Sequence, residues 1–155
     1  MGEQLKQRLK QDKFTSGYQE AILSVLVCAD KLTRSMDATC EVHDITLAQY
    51  NVLRILRGVH PDGHPRCEII TRMIHAAPDV TRLIDRLEKL ELAERAKSED
   101  DGRLSVTYIT KNGLTLLETL QSEIELVEQR LSASLTVQEA STFTDLCERV
   151  TSAVE

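Results

Sequence analysis

The sequence predicts a mainly α-helical fold that carries one small β-hairpin, and three observations predict it. Apolar residues recur at spacings of three and four along most of the 155 residues, the period of an amphipathic helix. One stretch, LAERAKSEDDGRLSVTYIT from Leu92 to Thr110, switches to a period of two, with Leu104, Val106 and Tyr108 alternating against Ser105 and Thr107. Between its halves, Ser98-Glu99-Asp100-Asp101-Gly102-Arg103 is rich in the turn formers Asp and Gly and carries an arginine near its tip.

The elements follow in order. A first helix over about Phe14–Met36 lines up Tyr18, Ile22, Val25, Ala29, Leu32 and Met36 in one stripe. A second opens at Thr46-Leu47-Ala48-Gln49, a capping box flanked by Ile45 and Tyr50 as a hydrophobic staple, and ends at Gly58. VHPDGHPR, Val59 to Arg66, is a loop because two prolines and a glycine stop the helix. A short helix from Cys67 to about His75 carries Ile69, Ile70, Met73 and Ile74, and HAAPD interrupts it. Pro78 suits the first position of the next helix, Pro78–Leu90, because its missing N–H would be unpaired there anyway. That helix puts Val80, Leu83, Ile84, Leu87 and Leu90 on one face and Asp79, Arg82, Asp85, Arg86 and Lys89 on the other. After the hairpin, a long helix over about Thr110–Ser132 presents Leu117, Leu120, Ile124, Val127 and Leu131. A second capping box, Thr136 to Glu139, opens the last helix, whose stripe is Phe143, Leu146, Cys147, Val150 and Val154.

Composition bounds the function. With 41% apolar residues, 3% aromatic residues and no Trp, the chain builds one aliphatic core and a single domain over 1–155. The N-terminus is charged, and the longest nearly apolar run, Ala21–Ala29, is broken by Ser24; a signal peptide and a membrane span are excluded and a cytoplasmic location is expected. Cys28, Cys40, Cys67 and Cys147 form no C-x-x-C and read as reduced thiols. The net charge of −6 is unevenly spread: residues 114–155 hold 8 acidic and 2 basic side chains, so the rest of the chain is close to neutral. No nucleophile and base pair, paired-carboxylate motif or glycine-rich phosphate loop is present, so an enzyme is not expected.

Two helices joined by a tight turn, the second with arginines on its free face, fit a helix-turn-helix whose second helix enters a DNA major groove. A hairpin directly after it is a wing, which brings Arg103 towards an adjacent minor groove, where negative potential is concentrated. The residues Asp79 to Gly113 resemble the MarR family of winged helix-turn-helix regulators. They match its V-T-R (Val80-Thr81-Arg82), its D-R-L-E helix end (Asp85-Arg86-Leu87-Glu88), its L-x-x-R strand (Leu92 to Arg95), its D-x-R wing (Asp101 to Arg103) and its final T-x-x-G (Thr110 to Gly113).

The resemblance implies a winged helix-turn-helix module over 46–113, flanked by dimerisation helices over 14–45 and 114–155 that interlock two subunits on a pseudo-palindromic double-stranded site. It implies a homodimeric repressor released by a small aromatic or phenolic effector, with no cofactor. Arg82 and Arg86 are candidates for base edges or phosphates, Thr81 for a phosphate or thymine methyl, and Asp79 for a cytosine amino group. Arg103 is the wing contact, Asp101 orients it, and Arg95 and Lys97 lie along the DNA backbone. The bland alternative is a set of solvated intrahelical pairs such as Asp85 with Lys89. On the family plan, Met36, His43, Tyr50 and Arg54 lie near the effector junction, although Met36 and Tyr50 also suit a core. The family commonly has glycine where Glu91 stands and arginine where Gly102 stands, so a different helix exit and modest, salt-sensitive affinity are expected.

Three other readings compete. His60, His64 and Cys67 have spacing that could bind a transition metal, as could Cys40 with His43, but no closed four-ligand set is visible. A thiol-responsive regulator would use Cys40 or Cys67, which stand near helix ends, rather than Cys28 or Cys147 on apolar stripes. A winged-helix protein-interaction module without DNA binding would share the fold.

Overall fold

The computed structural model describes residues 2–76, 79–97 and 104–154. Seven helices and three short strands follow in the order α1 (Glu3–Leu9), α2 (Gly17–Glu41), α3 (Leu47–Arg57), β1 (His64–Pro65), α4 (Arg66–Arg72), α5 (Val80–Lys89), β2 (Ala93–Lys97), β3 (Ser105–Ile109), α6 (Lys111–Ser132) and α7 (Val137–Val154). This is a mainly α winged-helix fold.

Local chemistry sets the helix ends. The Thr46–Gln49 capping box forms as expected: the Thr46 hydroxyl accepts from the Gln49 N–H, and the Gln49 amide oxygen accepts from the Thr46 N–H at 2.9 Å. Thr136 and Glu139 do the same at α7. The first long helix is displaced from its expected span. It starts at Gly17, where the Ser16 hydroxyl accepts from the Gln19 N–H, and runs past Met36 because Cys40, one turn on, is fully buried. Asp44, in the left-handed region at φ 59°, then turns the chain, and the Ile45 N–H bonds back to the Cys40 carbonyl. Helix α1 was hidden by its charged sequence; Leu5 anchors it, and Asp30 of α2 holds both Arg8 (3.0 Å) and Arg34 (2.9 Å).

The loop reading of Val59–Arg66 needs correction. His64 and Pro65 form a short edge strand, paired antiparallel with Thr107 and Val106, so the sheet has three strands in the order β1-β3-β2. Proline is tolerated because β1 is an edge. Gly63, at φ 69°, admits this strand: a Cβ there would lie 2.6 Å from the Thr107 carbonyl oxygen and 2.7 Å from the Tyr108 ring. The extra strand also changes β3. Its simple in/out alternation is lost, since Thr107, at 2% exposed, is buried alongside its neighbour Val106.

The core joins α3, α4, α5 and the start of α6 around Leu53, Leu56, Ile69, Ile84, Leu87, Leu117 and Leu120, all essentially inaccessible. Burying each such side chain stabilises by about 1.5–3 kcal/mol. Outside this core the long helices are bare. No residue of α7 is buried, and Tyr18, Ile22 and Leu26 of α2 and Phe143, Leu146 and Val150 of α7 stand in solvent.

Candidate nucleic-acid interface

Helix α5 is clamped to the core through Val80, Ile84 and Leu87, and this fixes which side chains point away. Thr81, Arg82, Arg86 and Lys89 are exposed. Asp79 caps the helix, accepting from the Arg82 N–H at 3.1 Å, and its other carboxylate oxygen takes the Arg82 Nε at 3.0 Å. Thus Asp79 is engaged by its own helix. Arg86 and Lys89 pair with no carboxylate among the described residues.

Arg95 stands differently from the sequence expectation. From β2 it reaches back across α5, and Nη1 donates to Asp85 Oδ1 and to Glu88 Oε2 at 2.6 Å each. Its Nη2 donates to the Thr81 carbonyl at 3.2 Å. Asp85 is therefore bridged from the neighbouring strand, where helical phase had suggested Lys89 as its partner. Lys97 is exposed at the last described position of β2, opposite Ser105. Asp101 and Arg103 at the wing tip, like Pro78 before α5, lie outside the described residues.

The junction between α5, the hairpin and α6 gives the T-x-x-G motif a physical meaning. The chain leaves α5 through Glu91 at φ 58°, with the Leu92 N–H bonded to the Leu87 carbonyl and the Glu91 N–H to the Glu88 carbonyl. That is the Schellman geometry a glycine would favour, adopted here by glutamate; the expected different exit is not found. Thr110 then staples both ends: its hydroxyl donates to the Glu91 carbonyl at 2.7 Å and accepts from the Gly113 N–H at 3.1 Å. Gly113 has no room for a Cβ, which would collide with the Leu92 carbonyl oxygen and lie 2.7 Å from Ile109 Cγ1.

The four expected effector residues do not share one cavity. Met36 lines an apolar cleft of about 570 Å³ between α2, the start of α3 and the segment after α4, with Leu32, Asp37, Leu47, Asn51 and Ile74. Tyr50 and Arg54 line a separate polar cleft of about 220 Å³ against α6, where the Arg54 guanidinium lies 5.9 Å from the Tyr50 ring centre. His43 lines neither and bonds Glu123 of α6 at 3.1 Å. Sequence reasoning missed the two polar residues that build the apolar cleft. Asp37 accepts from the Leu47 N–H at 2.8 Å, and Asn51 accepts from the Ile74 N–H at 2.8 Å. A polar residue inside the apolar run Tyr50-Asn51-Val52-Leu53 was the available signal.

The thiol and metal readings change as well. Cys40 is fully buried, and burial together with the nearby Asp37 and Glu123 carboxylates pushes its thiol up to about 11, away from the reactive thiolate. Cys67 is exposed. Among the described residues no three His, Cys, Asp or Glu side chains converge as a metal site. His64 packs into β1 with Nε2 buried and unpaired, and burial and Arg72 lower its pKa.

With this geometry in view, comparison with known proteins places the chain. A family model described as the MarR family matches residues 43–104, the span from the end of α2 to the wing. The crystal structure of a MarR transcription factor from Planctomyces limnophilus is 32% identical with a TM-score of 0.67, covering 88% of this chain and 98% of that one. This chain belongs to the MarR family. Its members are transcription regulators and not enzymes. The likeness to the Planctomyces structure extends beyond the winged module to most of the chain. The homoprotocatechuate degradative operon repressor of Escherichia coli is 28% identical over 107 residues, 68% of this chain and 70% of that protein. The PcaV regulator of Streptomyces coelicolor, solved in complex with its natural ligand, is 26% identical with a TM-score of 0.69, covering 83% of this chain and 92% of that one.

Proposed function

We propose that this MarR-family regulator is a homodimeric repressor that binds a pseudo-palindromic double-stranded operator and is released by a small aromatic or phenolic effector. The observation that carries the reading is the orientation of α5. Its apolar face is buried, so Thr81, Arg82, Arg86 and Lys89 are offered to solvent on a helix flanked by the wing strands. Arg86 and Arg82 are assigned to base edges or phosphates, Thr81 and Lys97 to phosphates, and Arg103, with Asp101 orienting it, to the minor groove. Asp79 is assigned to capping and to holding Arg82 until DNA takes it. Repression is supported by the similarity to the Escherichia coli operon repressor.

The dimer reading is supported by the bare apolar stripes of α2 and α7, which a second copy of the chain would cover. Residues 14–45 and 114–155 would supply that interface and 46–113 the DNA-binding module. The protein would act in the cytoplasm; no helix among the described residues is long and apolar enough to cross a membrane. The effector is assigned to the cleft containing Met36, because one wall is a dimerisation helix and the other leads through Ile74 into α5. A ligand wedged there favours one spacing of the two recognition helices over another, which is how it would alter DNA affinity. Footprinting on the DNA upstream of the coding region tests the reading. Two protected half-sites about 34–36 Å apart are expected, and protection of a single isolated half-site would contradict the dimer.

A further inference from the structure

We infer that Arg95 is not a DNA contact but the counter-ion that makes the recognition helix able to approach DNA, by offsetting part of the charge of Asp85 and Glu88 from the neighbouring strand. The inference rests on the DNA-binding reading above. Helix α5 and its cap present Arg82, Arg86 and Lys89 but also Asp79, Asp85 and Glu88, three cations against three carboxylates. Such a face gains little from a phosphate backbone. Asp79 is internally matched with Arg82, which leaves Asp85 and Glu88 to cancel the charge that Arg86 and Lys89 would bring to DNA.

A single guanidinium covers both. Arg95 Nη1 sits 2.6 Å from each carboxylate, and its side chain is 29% exposed, more enclosed than Arg82 at 86%. A guanidinium suits this position because its planar fork presents several donors at once: two carboxylates share Nη1 while Nη2 takes the Thr81 carbonyl in the first turn of α5. A lysine ammonium would meet one carboxylate at a time. The position is also built in, since the Arg95 backbone pairs with Thr107 in the middle of the β2–β3 ladder, which fixes the point from which its side chain reaches α5. Arg95 is thus a positioning residue, acting on DNA through the charge of α5.

The test is a charge-rescue series measured on folded dimers by DNA-binding anisotropy, with far-ultraviolet circular dichroism and thermal melting as folding controls. Arg95→Met should weaken specific binding at least about tenfold, about 1.4 kcal/mol, with the dependence on log salt nearly unchanged. Arg95→Lys should fall between the two. The triple variant Asp85→Asn, Glu88→Gln, Arg95→Met, which lacks the cation and both anions, should return to within about threefold of wild type, because a face without those carboxylates no longer needs their counter-ion. A triple variant as weak as Arg95→Met, with a salt slope lowered by about one phosphate contact, would make Arg95 a direct contact and overturn the inference. An Arg95→Met dimer that melts earlier yet binds like wild type would assign the residue to stability alone and overturn it too. Absence of selective DNA binding by the wild-type protein would instead defeat the DNA-binding reading itself, a result separable from either of these.

Discussion

Gly113→Ala examines the point where hairpin, recognition helix and α6 meet. Helix propensity alone favours alanine by about 0.8–1.0 kcal/mol in a helix interior, and by less in a first turn such as this one. Against that gain stands the space. The new Cβ would sit 2.7 Å from Ile109 Cγ1, roughly 1 Å inside ordinary carbon–carbon contact, and against the Leu92 carbonyl oxygen. That oxygen is backbone and already accepts from the Thr110 N–H at 3.1 Å, so it cannot withdraw without loosening the closure of the hairpin. Overpacking costs about 1–3 kcal/mol and a weakened hydrogen bond about 1 kcal/mol more, which leaves a net destabilisation of about 1–3 kcal/mol. In urea unfolding followed by circular dichroism, at one fixed protein concentration because a dimer's stability depends on it, the midpoint should fall by about 1 M. A midpoint equal to or above that of wild type would refute the packing argument.

Other perturbations have equally definite signs. Glu91→Gly removes a side chain from a left-handed residue and should raise stability by about 1 kcal/mol, read as a higher urea midpoint; a lower midpoint would mean the glutamate side chain holds the exit. Asn51→Ala removes the acceptor of the Ile74 N–H and should cost about 0.5–1.5 kcal/mol, with faster hydrogen exchange at Ile74 as the local readout. Cys40, buried with its thiol pushed up to about 11, should resist alkylation at neutral pH until denaturant is added, whereas the exposed Cys67 reacts at once; native labelling of Cys40 would contradict its burial. Burial lowers the pKa of His64 in the folded state below its ordinary value of 6.5, so the unfolded chain binds the proton more readily there. Its contribution to stability is therefore greatest above pH 6.5 and falls as pH drops through that value. His64→Gln should flatten this part of the stability curve, and an unchanged slope would exclude His64 as the cause.

Much of the fold was legible because period and caps are local signals. The Thr46 and Thr136 capping boxes, the buried face of α5 and the placement of the hairpin all follow from residues within a few positions of one another. The misreadings share a different cause, dependence on distant partners. The two-residue strand His64–Pro65 exists only because β3 lies beside it, and its proline argued locally against any strand. Helix α1 is held by Leu5 and by an arginine whose partner, Asp30, is 22 residues away. The site divided in the same way. Exposed Arg82 and Arg86 were readable from helical phase, but Arg95 folds back on Asp85 and Glu88 across a strand crossing that one-dimensional spacing does not encode. Likewise, Met36 and Tyr50 lie near the same junction in sequence terms but face different clefts, because Tyr50 turns towards α6 and Met36 towards the segment after α4.

Reading of DNA by a dimer, through α5 and its wing, is the proposal on which the other roles depend. Fluorescence anisotropy against the duplex upstream of its own coding region, with a scrambled duplex as control and at two salt concentrations, tests it most directly. Selective binding at two chains per duplex, weakening steeply with salt, is expected. Equal, weak binding to both duplexes, or tight binding that ignores salt, would contradict it.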